Sequence, residues 1–412
     1  MAYILAYDVG TTGVKACLYQ FVEERDEVLL VDQGVVGYGL TLLEGGGAEQ
    51  DPEQWWQAIV EANREIAVNH SEKLMAVEGI SFCSQMQGLV LVDEAGRHLR
   101  PAMSYMDQRS GEIKAKYAGG GPQIADVSIP FLLMSLKETG VVSASVKDPV
   151  WKYLWVKHNE PEVFEKVHAW LDVKEFFIGR MTGRFAMSRD SAFATLLCNT
   201  DEKNPAFSTK LMKNLGVRPE HMPPIVLSSD AVGKILPEVA EELMINPEAV
   251  VFAGGGDSSL IGLGSGCCEV GDAHIYMGTS GWASVITDRR ALDTAASIAS
   301  VVGVEPGKYN YFAELETAGK CLEWVKDHLV LDEINVYLER TSVDEDVESR
   351  YTNLYDYLSD VISTARPGSD GVLFAPWLHG NRCPFEDENA RGLFIGIGLD
   401  TGKTEMLRAV IE

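Results

Sequence analysis

The chain reads as an α/β protein of two related domains, and two stretches predict it. In Tyr3–Tyr19 an apolar run ends in Asp8, a turn of glycines and hydroxyls follows (Gly10-Thr11-Thr12-Gly13), and a second alternating run begins. Ile275–Ile286 repeats the pattern, with Gly278, Thr279, Ser280 and Gly281 answering Gly10, Thr11, Thr12 and Gly13. Two strand–turn–strand units so far apart in one chain point to a duplicated domain. Glycines let a turn approach a ligand closely, and its amides can converge on an anion beside hydroxyl donors. Asp8 would repel a phosphate directly, which suits it to holding Mg²⁺. In the second copy Tyr276 replaces the Asp, so one turn would serve metal and phosphate and the other phosphate alone. The first turn taken alone reads equally well as an ordinary glycine hairpin with a solvated Asp.

Composition narrows the field. The 412 residues, 46% of them hydrophobic, suffice for two or three domains with proper cores. A net charge of −26 argues against nucleic-acid binding and implies that a phosphate would be held by amides, hydroxyls and metal. Apolar runs stay shorter than a membrane span, and the start does not have the pattern of a secretory leader. Seven cysteines without CxxC pairs suit a reduced, cytoplasmic protein, and eight histidines without HExxH disfavour a zinc enzyme.

In chain order, Val28–Tyr38 is a third strand, and Asp51-Pro52 caps a helix with Trp55, Trp56, Ile59 and Val60 on its apolar face. Met75–Phe82 returns as a strand. Three meandering strands, a helix and a further strand form the order of a ribonuclease-H-like half domain. The polar loop Ser84-Gln85-Met86-Gln87-Gly88 follows at a strand's carboxyl edge, where small ligands bind in such sheets; Gln85 and Gln87 suit hydroxyls. Asp107 and Arg109 either hydrogen-bond a polyol or pair with each other. Residues 111–147 read as an irregular glycine-rich insertion, 148–166 as a helix, and helical segments continue to about 217. Prolines between 219 and 247 mark the approach to a boundary, giving domains 1–247 and 248–412. Then a strand, Gly254-Gly255-Gly256 and Asp257 lead into a helix. Those glycines would bring backbone against a substrate, and a lone carboxylate there suits a general base. The run also reads as a plain helix cap. With no GxGxxG after a strand, a dinucleotide-binding dehydrogenase is disfavoured.

These residues together resemble the FGGY carbohydrate kinases, within the actin/hexokinase-like ATPase superfamily, over essentially the whole chain. Asp8–Lys15 is similar to the family's first phosphate motif and Gly278–Gly281 to its second. Lys152-Tyr153-Leu154-Trp155 matches the first family signature in part, with Lys147 and His158 departing from it. Gly392–Ile397, Glu405-Met406 and Ala409–Glu412 fit the second at every constrained position. Within the family the loop at 84–88, Tyr105-x-Asp107-x-Arg109, and the block from Leu373–Pro376 to Asn389–Gly392 look most like xylulokinases, with Gln87 and Tyr105 as departures on the sugar side.

The resemblance implies two ribonuclease-H-like domains flanking a cleft, with ATP and Mg²⁺ as cofactors and a small-molecule sugar as substrate. It implies Asp257 as catalytic base, Met86, Gln87 and Asp107 as sugar contacts, and Asp8 at the metal. Gly10, Thr11, Thr12, Lys15, Gly278, Thr279, Ser280, Gly319 and Glu323 would serve the nucleotide. Family members continue past the second signature into an adenosine-binding motif, so a second domain truncated at Glu412 is expected, with homodimers common in the family. D-Xylulose is the first expected acceptor. Another ketose, a polyol or gluconate is the alternative within enzymes. A catalytically silent sugar-binding fragment and an actin-like assembly protein are the readings from other classes.

Overall fold

The computed structural model describes residues 2–124, 126–199, 201, 203–278, 280–293, 296, 298–330, 354–385, 387 and 389–412. The chain divides into two compact units, Met1–Gly264 with Val302–Lys308, and Ser265–Val301 with Tyr309–Glu412.

In the first unit β1 (Ala2–Val9), β2 (Gly13–Val22) and β3 (Glu27–Gly37) form an antiparallel meander. Helix α1 (Pro52–Leu74) follows; the Asp51 carboxylate accepts the Glu53 N–H at 2.9 Å and proline fills the first helical position, where no N–H is needed. The strand Val77–Ser84 then returns parallel to β1. Across the sheet the order is Ala231–Lys234, Val250–Phe252, Val77–Ser84, β1, β2, β3, with Gly255–Gly256 also pairing Val77–Ser84. This is the expected ribonuclease-H-like order. Trp55, Trp56, Ile59 and Val60 of α1 are buried on one side, and the rings of Tyr7, Phe82 and Phe177 stack at 5.3 and 5.9 Å. Burying each such phenylalanine contributes ~1.5–3 kcal/mol.

Three expectations change on folding. The first unit extends to Gly264 rather than to 247, because Val250–Phe252 and Gly255–Gly256 add to the first sheet. The helix read over 148–166 is two, Pro149–Asn159 and Pro161–Phe164. Proline lacks the N–H a helix interior needs and pushes the residue before it, here Glu160, out of helical geometry. Residues 111–147 are more regular than their composition suggests. Helices Gly111–Ala118 and Ile129–Glu138 form there, and Ile113 and Phe131 join the core around Trp151, with Phe131 and Trp151 rings 5.8 Å apart.

The second unit carries a sheet in the order Ala273–Met277, Gly281–Thr287, Tyr309–Leu315, Ile298–Val302, Leu292–Asp293. Its first two members repeat the opening antiparallel hairpin, and Tyr309–Leu315 pairs antiparallel beside them after Leu292–Asp293 and Ile298–Val302 have intervened in sequence. Ala273–Met277 is an edge strand whose Ile275 and Met277 are exposed. Val325, Leu358 and Leu407 form a separate small core among the helices Gly319–Val325, Leu354–Ser363 and Lys403–Ile411.

Candidate active site

Three parallel strands of the first unit end side by side. Asp8, Cys83 and Gly255 occupy one row of the register, and Val9, Ser84 and Gly256 the next. Three segments therefore leave the sheet from one carboxyl edge: the turn opening at Gly10, the loop opening at Gln85, and the helix opening at Asp257. Sheets of this kind take ligands at that edge.

The first turn is tied down through its carbonyls. The Gly10 carbonyl accepts from the Tyr38 hydroxyl at 2.5 Å and the Gln85 amide at 3.1 Å. The Thr11 carbonyl accepts from Gln50 at 2.8 Å, and that of Thr12 from the Tyr38 N–H at 3.0 Å. C=O and N–H point opposite ways across a trans peptide, so the amides of Thr11, Thr12 and Gly13 are directed away from these braces. Asp8 stands directly across from Lys15 in the β1–β2 ladder. The residue is exposed as a whole, while partial burial of its carboxyl holds it above the ordinary carboxylate value against the pull of Lys15 and the Cys83 thiol. Lys15 is exposed.

Residues 84–88 differ in detail from expectation. The side-chain N–H groups of Gln85 are turned to the protein: the residue is buried and donates to the Gly10 carbonyl and to the Gln50 side chain, the latter at 2.9 Å. Gln87 adopts φ 61°, a left-handed conformation that costs a non-glycine residue on the order of 1 kcal/mol or more. Its backbone is held on both sides. The Asp172 carboxylate accepts the N–H groups of Gln87 and Gly88, both at 2.9 Å, and buried Lys152 donates to the Gln87 carbonyl at 2.8 Å. Burial pushes Lys152 down to about 7 against the upward pull of Asp107, Asp172 and Asp148. Burial, with Glu175 nearby, pushes Asp172 up. The half-buried Met86 accepts from the Ser258 hydroxyl at 3.2 Å.

Of the two roles open to Asp107, the structure displays the pairing. Asp107 is fully buried, meets Arg109 at 2.7 Å and accepts the Ala48 N–H at 2.9 Å. Arg109 in turn meets Glu49 at 2.6 Å and lies over the Trp155 ring.

Asp257 is half-buried and opens the helix Asp257–Gly264, its carboxylate accepting the Ser258 N–H at 2.7 Å. Burial raises the Cys83 thiol well above its usual value, and Asp8, Asp257 and Asp190 raise it further, so these carboxylates gather around one cysteine. The glycines before Asp257 face protein rather than ligand. A Cβ at Gly254, where φ is +62°, would sit 2.2 Å from the Phe82 carbonyl, and one at Gly256 would sit 1.9 Å from the Met86 sulfur.

In the second unit the Gly278 N–H donates to the Ser280 carbonyl at 2.9 Å, and the Gly278 carbonyl accepts the Gly319 N–H at 2.7 Å. A Cβ at Gly319 would stand 2.5 Å from that carbonyl. Glu323, one helical turn further, pairs with Lys320. Thr279 lies outside the described residues. Reasoning from sequence missed Tyr38, Gln50, Asp172, Lys174 and Asp190 as supports. The hydroxyl- and charge-rich run Ser188-Arg189-Asp190-Ser191 between apolar neighbours was the available signal for the last.

A duplicated antiparallel hairpin, each copy with a glycine-hydroxyl turn and one with carboxylates grouped at its sheet edge, defines the class of actin/hexokinase-like phosphotransferases. Comparison narrows this. Residues 3–264 match the N-terminal domain, and residues 273–412 the C-terminal domain, of the FGGY family of carbohydrate kinases, and the chain belongs to that family. It is 28% identical to the gluconokinase of Bacillus subtilis over 413 residues, covering 100% of this chain and 74% of that protein. To the xylulose kinase of Staphylococcus xylosus it is 26% identical over 412 residues, covering 100% and 77%. Among solved structures, a ligand-bound xylulose kinase from Lactobacillus acidophilus matches with a TM-score of 0.79 at 26% identity, covering 100% of this chain and 75% of that one. A gluconate kinase from the same organism matches equally well, with coverages of 99% and 75%. The protein is therefore a sugar kinase, a phosphotransferase with an alcohol acceptor, of a family that uses ATP.

Proposed function

We propose that the protein transfers the γ-phosphoryl group of ATP to a hydroxyl of D-xylulose, with Asp257 as general base. The observation that carries this reading is the alignment of strand ends that groups Asp8, the 84–88 loop and Asp257 at one edge. Asp257 takes the proton of the attacking hydroxyl as the new O–P bond forms and the bond from the γ-phosphorus to the bridging β-phosphate oxygen breaks, releasing ADP. Met86 and Gln87 face the sugar; Asp107 shapes their surroundings through its pairing with Arg109. The turn amides, with the hydroxyls of Thr11, Thr12, Thr279 and Ser280 and the ammonium of Lys15, hold phosphate oxygens. Gly319 and Glu323 serve the nucleotide in the second unit. An open carboxylate at a strand end fits Mg²⁺, which is commonly bound by one or two carboxylates plus phosphates and water, so Asp8 would hold the ion, and the ion would offset charge on the phosphates. Seven cysteines, none of them disulfide-bonded, suit the reducing cytoplasm.

The test is a coupled ADP assay with D-xylulose, other ketoses, polyols and gluconate. Turnover should be highest on D-xylulose; its absence there overturns the acceptor. Gluconate is the second reading, favoured by the 28% identity to a gluconokinase. Asp257→Ala should lower kcat by about 10²–10⁴-fold with sugar binding retained by calorimetry. Near-normal turnover in that variant would remove the base from Asp257.

A further inference from the structure

Behind the strand ends of the first unit lies a buried polar chain that the reaction as described does not use. Lys174, Glu175 and Asp190 are each fully buried, and Ser188 nearly so. The Lys174 ammonium donates to Glu175, to the Ser191 hydroxyl, and to the Ser188 hydroxyl at 2.7 Å. The Ser188 hydroxyl donates to one oxygen of Asp190. The other oxygen of Asp190 accepts the N–H of Gly256 at 2.6 Å. Gly256 is the residue immediately before Asp257.

We infer that Lys174, Ser188 and Asp190 are positioning residues that set Asp257 through the Gly256 amide. Three charged groups withdrawn from water are costly unless each is paired, and removing a partner exposes the full cost. Packing alone would be served as well by apolar side chains of similar volume. What a carboxylate adds is a directed acceptor, and the direction here is an N–H one peptide from the proposed base. The Gly256 position is further restricted by Met86, leaving no room for a side chain. Asp257 is thus held from its N-terminal side by a charge-assisted bond and from its C-terminal side by the Ser258 N–H. A proton abstraction depends steeply on such placement, and a displacement of about 1 Å costs roughly 10²-fold in rate.

This inference rests on Asp257 being the base, and the experiment separates the two. In the full chain, with D-xylulose and ATP as probes, Asp190→Ala should lower kcat by roughly 10²-fold while the sugar KM changes less than about twofold. Hydrogen exchange should accelerate in the peptide spanning 254–258. Asp190→Asn retains an oxygen acceptor for Gly256 and should recover much of both signals. In an Asp257→Ala background, Asp190→Ala should have no further effect on kcat, because the positioned group is gone. Should Asp190→Ala fail to fold, Ser188→Ala keeps both charges and cuts the link; it should reproduce the kcat loss in milder form and the faster exchange. Full activity of Asp257→Ala strikes the base assignment, and a parent inactive on D-xylulose strikes the acceptor; unchanged exchange at 254–258 strikes the positioning role whatever the activity. Full activity of Asp190→Ala or, failing that, Ser188→Ala, beside an inactive Asp257→Ala also overturns it, as does an equal rise in KM.

Discussion

The turns at residues 10–13 and 278–281 share their residue types and are stabilised by different physics. The first is tied by side chains from three separate segments, Tyr38, Gln50 and Gln85, each donating to a turn carbonyl. Both turns also take a backbone brace, Tyr38 N–H to the Thr12 carbonyl in the first and Gly319 N–H to the Gly278 carbonyl in the second. Among the described residues only the first shows the added side-chain donors. The ladders beneath them differ in the same sense. Asp8 faces Lys15 across the first hairpin, whereas Tyr276 faces Trp282 across the second, and those rings stack at 3.9 Å. The second hairpin also closes one residue sooner, with Met277 paired to Gly281 where Val9 pairs with Val14. A repeated local pattern thus specifies the turn and leaves its support to be supplied by each unit's surroundings. At this position the first copy carries a carboxylate, Asp8, and the second an aromatic ring, Tyr276.

The largest expected effect concerns that carboxylate. Asp8→Ala should lower turnover on the order of 10²–10³-fold, while Tyr276→Phe, which keeps the ring stack, should stay within a few-fold of the parent. Comparable losses in steady-state kinetics would break the contrast.

Next comes the backbone brace. Gly319→Ala forces a Cβ against the Gly278 carbonyl and should destabilise the second unit by about 1–3 kcal/mol. Gly10→Ala would place its Cβ 3.5 Å from the Gly13 carbonyl, an ordinary contact, and should be nearly neutral. Thermal unfolding of the two variants distinguishes them, and equal shifts would show that both turns are equally crowded.

Smaller still is the side-chain brace. Gln85→Ala removes bonds to Gly10 and Gln50 from a buried site and should cost about 1–2 kcal/mol, with the Michaelis constant for ATP raised. A change in sugar affinity alone would return Gln85 to the ligand role that its place in the loop first suggested.

The 84–88 loop beside the first turn brings a titrating group of its own, Lys152, which donates to the Gln87 carbonyl. Burial lowers Lys152 from 10.5 to about 7, so between those values the unfolded chain binds a proton that the folded chain does not. Its contribution to stability is therefore full above pH 10.5 and is lost as pH falls through about 7. Relative to Lys152→Met, the parent should gain stability as pH rises from 7 towards 10, and the difference should level off below 7. A difference that stays flat over that window, by chemical denaturation, would mean that Lys152 keeps its ordinary value in the fold.

Much of the fold was legible because its signals are short-range. The Asp51-Pro52 start of α1 works as its residue types predict. The strand order of the first unit follows from a meander and a crossover that periodicity reveals. Asp257 was visible as a carboxylate after a strand and glycines, but the reason for those glycines was not. They make room for Phe82 and Met86, which lie more than 160 positions earlier in the chain. Asp107 looked the same in sequence whether it met a sugar or Arg109, since one spacing serves both. Asp190 stands 66 residues from the amide it holds, and nothing local to either end announces the bond.

Residue order alone set the turn chemistry, the helix starts and the strand periodicity, and with them the family, since each depends on neighbours a few positions apart. The tertiary structure decided what holds each turn, which polar side chains in the 84–88 loop are spent on the protein itself, and which buried charges stand behind Asp257. Those choices depend on hydrogen-bond partners drawn from distant segments and on the cost of leaving any of them unpaired in the core, and neither is written in a local pattern.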